Sequence, residues 1–237
     1  MNKEFDRAAR AAVEACFAQA SQLLYSEPET GTISAHVADR LFLSAPFGME
    51  NPYVRQGLEL LDAWCVEAAE SPEDFDERIA ELQREWLRLF VGTGVPEAPC
   101  WESFYVEPNS QMFGRCTLEV RACYRRHGLQ IERIHSEPDD HLGLMLGFMG
   151  RLVGVEAEAL ANGNDVSARQ AVEEQGAFLA EHVLPWLAVW RYSAFERAKT
   201  DYYRGVAQFV FGLCACYAER FGITFDEADQ AFKRMRG

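Results

Sequence analysis

A helical spacing of apolar residues runs through nearly the whole chain and limits its possible folds more than any other feature. In Phe5–Tyr25, for example, seven apolar side chains fall on one helical stripe. Alternation typical of a strand is confined to Leu129–His135 and is short. The spacing therefore predicts an all-α protein with about eight to nine helices in one helical domain, residues 1–237.

Caps and helix breakers set the predicted helix boundaries. Asn51 followed by Pro52 is typical of an N-cap and a first helical residue, and Gly128 and Gly222 are typical C-terminal stops. Pro185 predicts a kink or a division in a long helical stretch. The predicted helices are Phe5–Tyr25, Ser34–Leu43, Asn51–Ala69, Ser71–Phe90, Ser110–His127, Ser136–Asn162, Val166–Ala194, Arg197–Phe221 and Phe225–Met235.

Two stretches are candidate seams between an N-terminal and a C-terminal lobe. The first is the loop Val91–Tyr105, which contains Gly, Pro and aromatic residues, and the second is the linker Leu129–Ser136. The aromatic residues of the loop either form a binding surface or fold over the core. His182, before Pro185, is either part of a groove wall or packed within a kinked helix.

Composition disfavours several classes of function. A net charge of −14 disfavours binding to nucleic acid and to anionic membranes, and a basic protein or peptide is the natural partner. No apolar run approaches the ~18 residues needed to span a bilayer, and the N-terminus lacks the features of a secretory signal. We therefore expect a cytoplasmic protein without stable membrane insertion.

The seven cysteines contain no C-x-x-C pair. Zinc-ribbon and thioredoxin-like sites therefore lack their usual signature. The cysteines are interpreted as small buried hydrophobic residues in a reducing compartment, and the sequence leaves the roles of Cys214 and Cys216 open.

The segment "SEPDDHLGLMLGFMG" places two aspartates and a histidine together. Asp139, Asp140 and His141 would diverge by about 100° per position on a helix, which disfavours a shared metal ion. Ser136 and Asp139 resemble a capping box, and acids are favourable in a first helical turn. Helix capping, a binding role for the exposed side chains, and a metal-dependent hydrolase built on Asp139, Asp140 and His141 all remain open at this point.

Four glycines follow this segment at helical spacing. Gly143, Gly147, Gly150 and Gly154 would form a narrow stripe on one helix face, where each costs about 0.5–1 kcal/mol relative to alanine. The stripe predicts close approach of another helix or of a ligand backbone, with helix packing the preferred interpretation. The surrounding residues are apolar, so this helix is expected in the core.

Several segments taken in order resemble the TorD/DmsD family of redox-enzyme maturation chaperones. They are "EWLRLFVG", "APCWESFY", "EPDDHLGLML" and "HVLPW", and the resemblance covers the chain from about Glu85 to Phe221. The most diagnostic motif is E-P-x-D-H, here Glu137, Pro138, Asp140 and His141. Cys100 departs from the DmsD-like branch, which commonly has a second proline there.

The resemblance implies the all-helical fold of that family and a cytoplasmic chaperone rather than an enzyme. Such a chaperone binds the twin-arginine signal peptide of a molybdenum-containing oxidoreductase catalytic subunit. It holds the precursor during cofactor insertion and then releases it to the twin-arginine translocase. By position, the implied peptide groove comprises Leu89, Phe90, Pro99, Trp101, Glu137, Pro138, Asp140 and His141.

The resemblance implies no catalytic residue, metal or cofactor. It leaves guanine-nucleotide binding open, together with the choice between a monomer and a domain-swapped dimer. An alternative within the family is an assembly chaperone for a redox subunit of the nitrate-reductase type that stays in the cytoplasm.

Overall fold

The computed structural model describes residues 5–92, 94–110, 112–131 and 137–234. The chain divides into two compact units, each assembled from separate stretches of sequence. The first unit comprises Met1–Tyr25, Cys100–Ala188 and Cys214–Gly237, and the second comprises Ser26–Pro99 and Val189–Leu213, in each case within the described residues. No helix in these ranges is both long enough and apolar enough to cross a membrane.

Helices dominate the described residues, as predicted. The α-helices are α1 (Arg7–Tyr25), α2 (Thr30–Ala38), α3 (Pro52–Glu70), α4 (Phe75–Trp86), α5 (Glu102–Val106), α6 (Arg115–Arg126), α7 (Leu142–Ala161), α8 (Asp165–Phe178), α9 (Leu184–Arg197) and α10 (Asp201–Ala218). Leu87–Val91 and Leu179–Val183 are π-helical, and Pro72–Asp74, Pro108–Ser110 and Glu219–Phe221 are 3₁₀-helical. Because the second π-helical segment joins α8 to α9, the α-helices form nine runs in the described chain.

The first unit is built on the close packing of α7 against α1, where the glycine stripe faces α1. A Cβ atom on Gly143 would lie 2.9 Å from the Cβ of Tyr25, and one on Gly147 would lie 3.0 Å from the Oγ of Ser21. These distances leave little or no room for a side chain. The prediction of close helix packing is thus confirmed, as is the core position of α7, most of whose residues are buried.

A buried polar network also stabilises the first unit. The Nη2 atom of Arg220 donates to Oε1 of Glu156 at 2.7 Å, and the amide of Gln175 donates to the other Glu156 oxygen at 3.1 Å. The hydroxyl of Tyr217 donates to Gln175 at 2.6 Å. These bonds connect α7 and α8 to the end of α10, and an ion pair this well hydrogen-bonded offsets much of its cost of desolvation.

The second unit is built on close contact between α3 and α10, which meet backbone to backbone. A Cβ atom on Gly57 would lie 2.5 Å from the backbone nitrogen of Phe209. One on Gly212 would lie 2.5 Å from the backbone nitrogen of Val54. Main-chain atoms cannot rotate away as side chains do, so only glycine fits at these positions.

The predicted helix ends at Asn51, Gly128 and Gly222 are confirmed. An N-cap determines the first, and a left-handed backbone conformation determines the other two. The Asn51 side chain accepts hydrogen bonds from the backbone nitrogens of Tyr53 and Val54 at 2.9 and 3.4 Å, and α3 begins at Pro52. Gly128 and Gly222 both have a φ of +68°, which is the conformation of a C-terminal stop.

Other predicted boundaries were displaced. The helix placed at Ser34–Leu43 is α2, which begins at Thr30 and ends before Arg40, a residue with φ of +49°. The helix placed at Ser110–His127 begins only at Arg115, because Phe113 has φ of +58° and cannot continue a right-handed helix. Pro185 lies in the first turn of α9, where proline is tolerated, and the irregular segment lies just before it.

The prediction of a terminal helix at Phe225–Met235 was wrong. Ile223–Asp226 (β1) and Ala231–Arg234 (β2) form an antiparallel hairpin instead. Asp226 accepts hydrogen bonds from the backbone nitrogens of Ala228 and Asp229 at 2.9 and 3.2 Å, a side-chain interaction that favours a turn over a helix. Phe225 and Phe232 lie opposite each other in register, and their ring centroids are 5.1 Å apart.

One unit boundary, between Pro99 and Cys100, falls inside the predicted seam Val91–Tyr105. The second predicted seam, Leu129–Ser136, belongs to the first unit as far as Ile131, and its remaining residues lie outside the described ranges. A single helical domain with a seam near residues 129–136 stays a prediction.

We predict that Gly212→Ala lowers the free energy of unfolding by about 2–4 kcal/mol, because the added methyl group collides with the backbone of α3. The measurement is urea denaturation followed by circular dichroism. Gly31→Ala is the matched control, since no atom lies within 4 Å of a Cβ there and alanine favours a helix. Equal stability of the two variants would contradict the close approach of the two backbones.

Candidate functional site

The predicted site residues of the first unit lie where two segments pair as short antiparallel strands. Trp101 and His141 form an isolated β-bridge. The backbone nitrogen of Leu142 donates to the carbonyl of Cys100 at 2.6 Å, and that of Glu102 donates to the carbonyl of Asp140 at 3.1 Å. Main-chain bonds thus hold the aromatic loop beside the acidic motif, although the two are about forty residues apart in sequence.

His141 is the N-cap of α7. Its Nδ1 atom accepts a hydrogen bond from the backbone nitrogen of Gly143 at 3.1 Å, so the proton of the neutral ring lies on Nε2. The rings of Tyr25 and Trp101 contact the imidazole edge to face, with centroids 5.3 and 5.9 Å away. Burial lowers the pKa of His141 to about 3, so the ring is neutral at physiological pH.

This cap differs from the predicted one. The sequence placed the helix start at Ser136, with Asp139 as a capping residue, and this was wrong because α7 begins at Leu142. Ser136 itself lies outside the described residues.

Asp140 is fully buried and hydrogen-bonded through both carboxylate oxygens. The hydroxyl of Thr117 donates to Oδ1 at 2.7 Å, and the backbone nitrogen of Ser103 donates to Oδ2 at 2.8 Å. These partners come from α6 and from the first turn of α5. Asp140 therefore links the motif to both helices through hydrogen bonds.

Asp139 is bound to α6. Its Oδ2 atom accepts hydrogen bonds from Nε and Nη2 of Arg121 at 2.9 and 2.7 Å, and its backbone carbonyl accepts one from the Tyr124 hydroxyl at 3.0 Å. The Asp139 side chain is almost completely buried. It forms an internal ion pair rather than a helix cap.

The three adjacent side chains Asp139, Asp140 and His141 therefore have three separate sets of partners. Over the residues that the structure describes, no group of three or more histidine, cysteine, aspartate or glutamate side chains is arranged to hold a metal ion. The geometry gives no support to the hydrolase alternative.

Trp101 and Glu137 form the partly exposed edge of this region. The indole nitrogen of Trp101 donates to Oε1 of Glu137 at 3.0 Å, and both residues keep part of their surface open to solvent. Pro138, by contrast, is buried. A carboxylate beside an aromatic face is suited to binding a cationic group, above all a guanidinium.

The other predicted peptide-binding residues, Leu89, Phe90 and Pro99, belong to the second unit and are buried there. The ring of Phe90 contacts Tyr203 edge to face at a centroid distance of 5.5 Å. The backbone nitrogen of Ala98 donates to the carbonyl of Leu89 at 2.8 Å. A peptide contact by these three residues stays a prediction.

A buried ion pair between Glu102 and His182 was not predicted from the sequence. Nδ1 of His182 lies 3.1 and 3.3 Å from the two carboxylate oxygens. Burial raises the pKa of Glu102 although the bond to His182 opposes this. For His182, burial acts to lower the pKa, but hydrogen bonds to Cys123 and Glu102 outweigh it and raise the pKa to about 10. Nothing in the sequence links two residues eighty positions apart.

The α6 partners Thr117, Arg121 and Tyr124 were missed as well. Their spacing of four and three residues places them on one helix face, and this was an available signal. What the sequence could not show was that this face meets the acidic motif.

We predict that His141 makes the protein less stable in acid. The unfolded chain binds a proton near pH 6.5, whereas the folded chain resists protonation until about pH 3, so stability falls as the pH drops through this window. His141→Asn keeps an N-cap acceptor that does not titrate. Between pH 7.5 and pH 5.0, the wild type should lose about 2 kcal/mol more free energy of unfolding than the variant. Urea denaturation at both pH values measures this difference, and equal losses would contradict the assignment.

Comparison with known proteins shows which family and which relatives this chain is similar to. The family model described as "Nitrate reductase delta subunit" matches residues 51–191. "Chaperone protein TorD" of Vibrio vulnificus (strain YJ016) is 28% identical over 149 residues, covering 63% of this chain and 68% of the relative. "Tat proofreading chaperone DmsD" of Salmonella typhi is 27% identical over 184 residues, covering 74% and 83%.

A solved structure, a putative redox enzyme maturation protein from Archaeoglobus fulgidus, is 19% identical, covers 89% of this chain and 97% of its own, and has a TM-score of 0.46. The two relatives above are named as chaperones rather than as enzymes. The family model spans more than half of the chain. The chain therefore belongs to the nitrate reductase delta subunit family, which includes the TorD/DmsD-type chaperones.

Proposed function

We propose that this protein is a cytoplasmic chaperone that binds the twin-arginine leader of a molybdenum-containing oxidoreductase subunit. It holds the precursor while the cofactor is inserted and then releases it to the twin-arginine translocase. The observation that carries this proposal is the similarity to relatives named as Tat proofreading chaperones over most of the chain.

The partly exposed edge formed by Trp101 and Glu137 is the proposed contact for the arginine pair. Glu137 supplies a carboxylate, which binds a guanidinium more strongly than a neutral acceptor does. Trp101 supplies the aromatic face on which an arginine can stack. The net charge of −14 further favours the approach of a basic leader.

In this proposal, Asp140 and His141 support this edge from the protein interior. Both Asp140 oxygens already accept hydrogen bonds, so in this proposal the residue holds the backbone in place rather than binding an arginine directly. His141 is neutral and buried, and by capping α7 it holds the start of that helix in place. Pro138 is buried, so we propose that it shapes the site instead of presenting an open apolar surface.

A second candidate function is favoured by the description of the matching family, nitrate reductase delta subunit. In this case the chaperone assembles a redox subunit that stays in the cytoplasm. The client would then lack a leader, and its mature part would bind the chaperone.

We predict that Glu137→Gln weakens binding of a twin-arginine leader about tenfold, because the amide keeps an acceptor for Trp101 but loses the charge. Isothermal titration with a leader from a neighbouring molybdoenzyme gene measures the affinity. Glu158→Gln is the matched control, since it removes the same charge from an exposed carboxylate paired with Arg151 on α7.

A leader with both arginines changed to lysine should also bind more weakly, because lysine cannot form the planar two-donor contact. Failure of the wild type to bind any twin-arginine leader would overturn the proposal. Binding to the mature part of a leaderless catalytic subunit would then favour the second candidate.

A further inference from the structure

One face of α6 holds the acidic motif in place, although α6 lies outside every segment on which the family resemblance depends. Thr117, Arg121 and Tyr124 succeed one another along this face. All three bond to Asp139 or Asp140, at distances between 2.7 and 3.0 Å. Three side chains of α6 thus bind two side chains and one backbone carbonyl of the motif.

The hydrogen bond from Thr117 to Asp140 has the most direct effect on the partly exposed edge formed by Trp101 and Glu137. Both Thr117 and Asp140 are completely buried, and no ion pair to Asp140 occurs among the residues described. Two neutral donors, the Thr117 hydroxyl and the Ser103 amide, therefore solvate this carboxylate. Loss of one donor leaves a buried oxygen without a partner, which is costly enough to displace the side chain.

A displacement of the Asp140 side chain would also move Trp101, because hydrogen bonds connect Asp140 to the two residues that follow Trp101. The Asp140 carboxylate binds the backbone nitrogen of Ser103, and the Asp140 carbonyl binds that of Glu102. Both nitrogens belong to the turn that immediately follows Trp101. The orientation of Trp101, and with it the bond to Glu137, is therefore tied to Thr117.

Arg121 has a similar role at Asp139, the residue next to Asp140. Its guanidinium neutralises Asp139, whose side chain is only 2% exposed. Without Arg121, a buried carboxylate would lose its cation directly beside Asp140. Arg121 thus keeps a second acid of the motif inside the protein.

We propose that Thr117 and Arg121 are positioning residues that set the geometry of the Trp101–Glu137 edge for leader binding. This inference rests on the proposed function where it concerns the leader. Neither side chain need contact the leader, and both act through the two aspartates.

The test compares Thr117→Val, which keeps the shape but removes the hydroxyl, with Thr117→Ser, which keeps the donor. The first readout is the affinity for a twin-arginine leader, measured by isothermal titration well below the melting temperature. Thr117→Val should weaken binding about tenfold, whereas Thr117→Ser should stay within about twofold of the wild type. Arg121→Gln should weaken binding as well, with partial recovery in Arg121→Lys.

The second readout requires no leader. In a ¹H–¹⁵N spectrum, the indole resonance of Trp101, assigned from Trp101→Phe, reports its bond to Glu137. This resonance should shift in Thr117→Val and remain in place in Thr117→Ser. If Thr117→Val is too unstable to purify, the pair Arg121→Gln and Arg121→Lys supplies the same comparison.

Asn164→Ala is the control for general destabilisation. Asn164 caps α8 by accepting a hydrogen bond from the backbone nitrogen of Ser167 at 3.1 Å, so its loss lowers stability without touching α6. Wild-type affinity and an unmoved Trp101 resonance in Thr117→Val would overturn the inference. A shifted resonance in a protein that binds no leader would support the positioning role while overturning the proposed function.

Discussion

The hydrogen bonds to the buried carboxylate of Asp140 are the interaction on which the candidate site depends. A carboxylate without access to water requires donors from the protein, and here they come from two helices that are separate in sequence. This requirement ties α5 and α6 to the start of α7. In our proposal, this junction sets the geometry of the edge formed by Trp101 and Glu137.

Burial and exposure divide the E-P-x-D-H motif into two kinds of residue. Pro138, Asp140 and His141 are buried, and the two polar side chains among them are hydrogen-bonded internally, whereas Glu137 keeps part of its surface in solvent. A motif of this kind can be characteristic of a family because of its internal hydrogen bonds as much as because of ligand contacts. The helix cap formed by His141 is one such internal hydrogen bond. Its Nδ1 atom accepts the bond, which leaves the proton of the neutral ring on Nε2.

Local features of the sequence predicted the helical class, the glycine stripe and the capped helix ends, because residues close in sequence determine them. The terminal hairpin was missed because Phe225 and Phe232 satisfy a helical spacing as well as a cross-strand pair. The α7 cap was placed five residues too early, since serine and aspartate are commoner caps than histidine. The partners Thr117, Arg121 and Glu102 could not be assigned, because tertiary packing alone brings them to the motif.

The discontinuous make-up of the two units bears on how the chain folds as it is synthesised. The contact between α3 and α10 joins Gly57 to Phe209, and the first unit combines the described residues of Met1–Tyr25 with those of Cys214–Gly237. Neither unit can be completed until its late segment has left the ribosome, because each needs a late segment to cover an early one. Contacts of such long sequence separation slow folding and keep apolar helix faces exposed for longer. A protein that assists the maturation of others would then itself pass through a prolonged, aggregation-prone stage during its own synthesis.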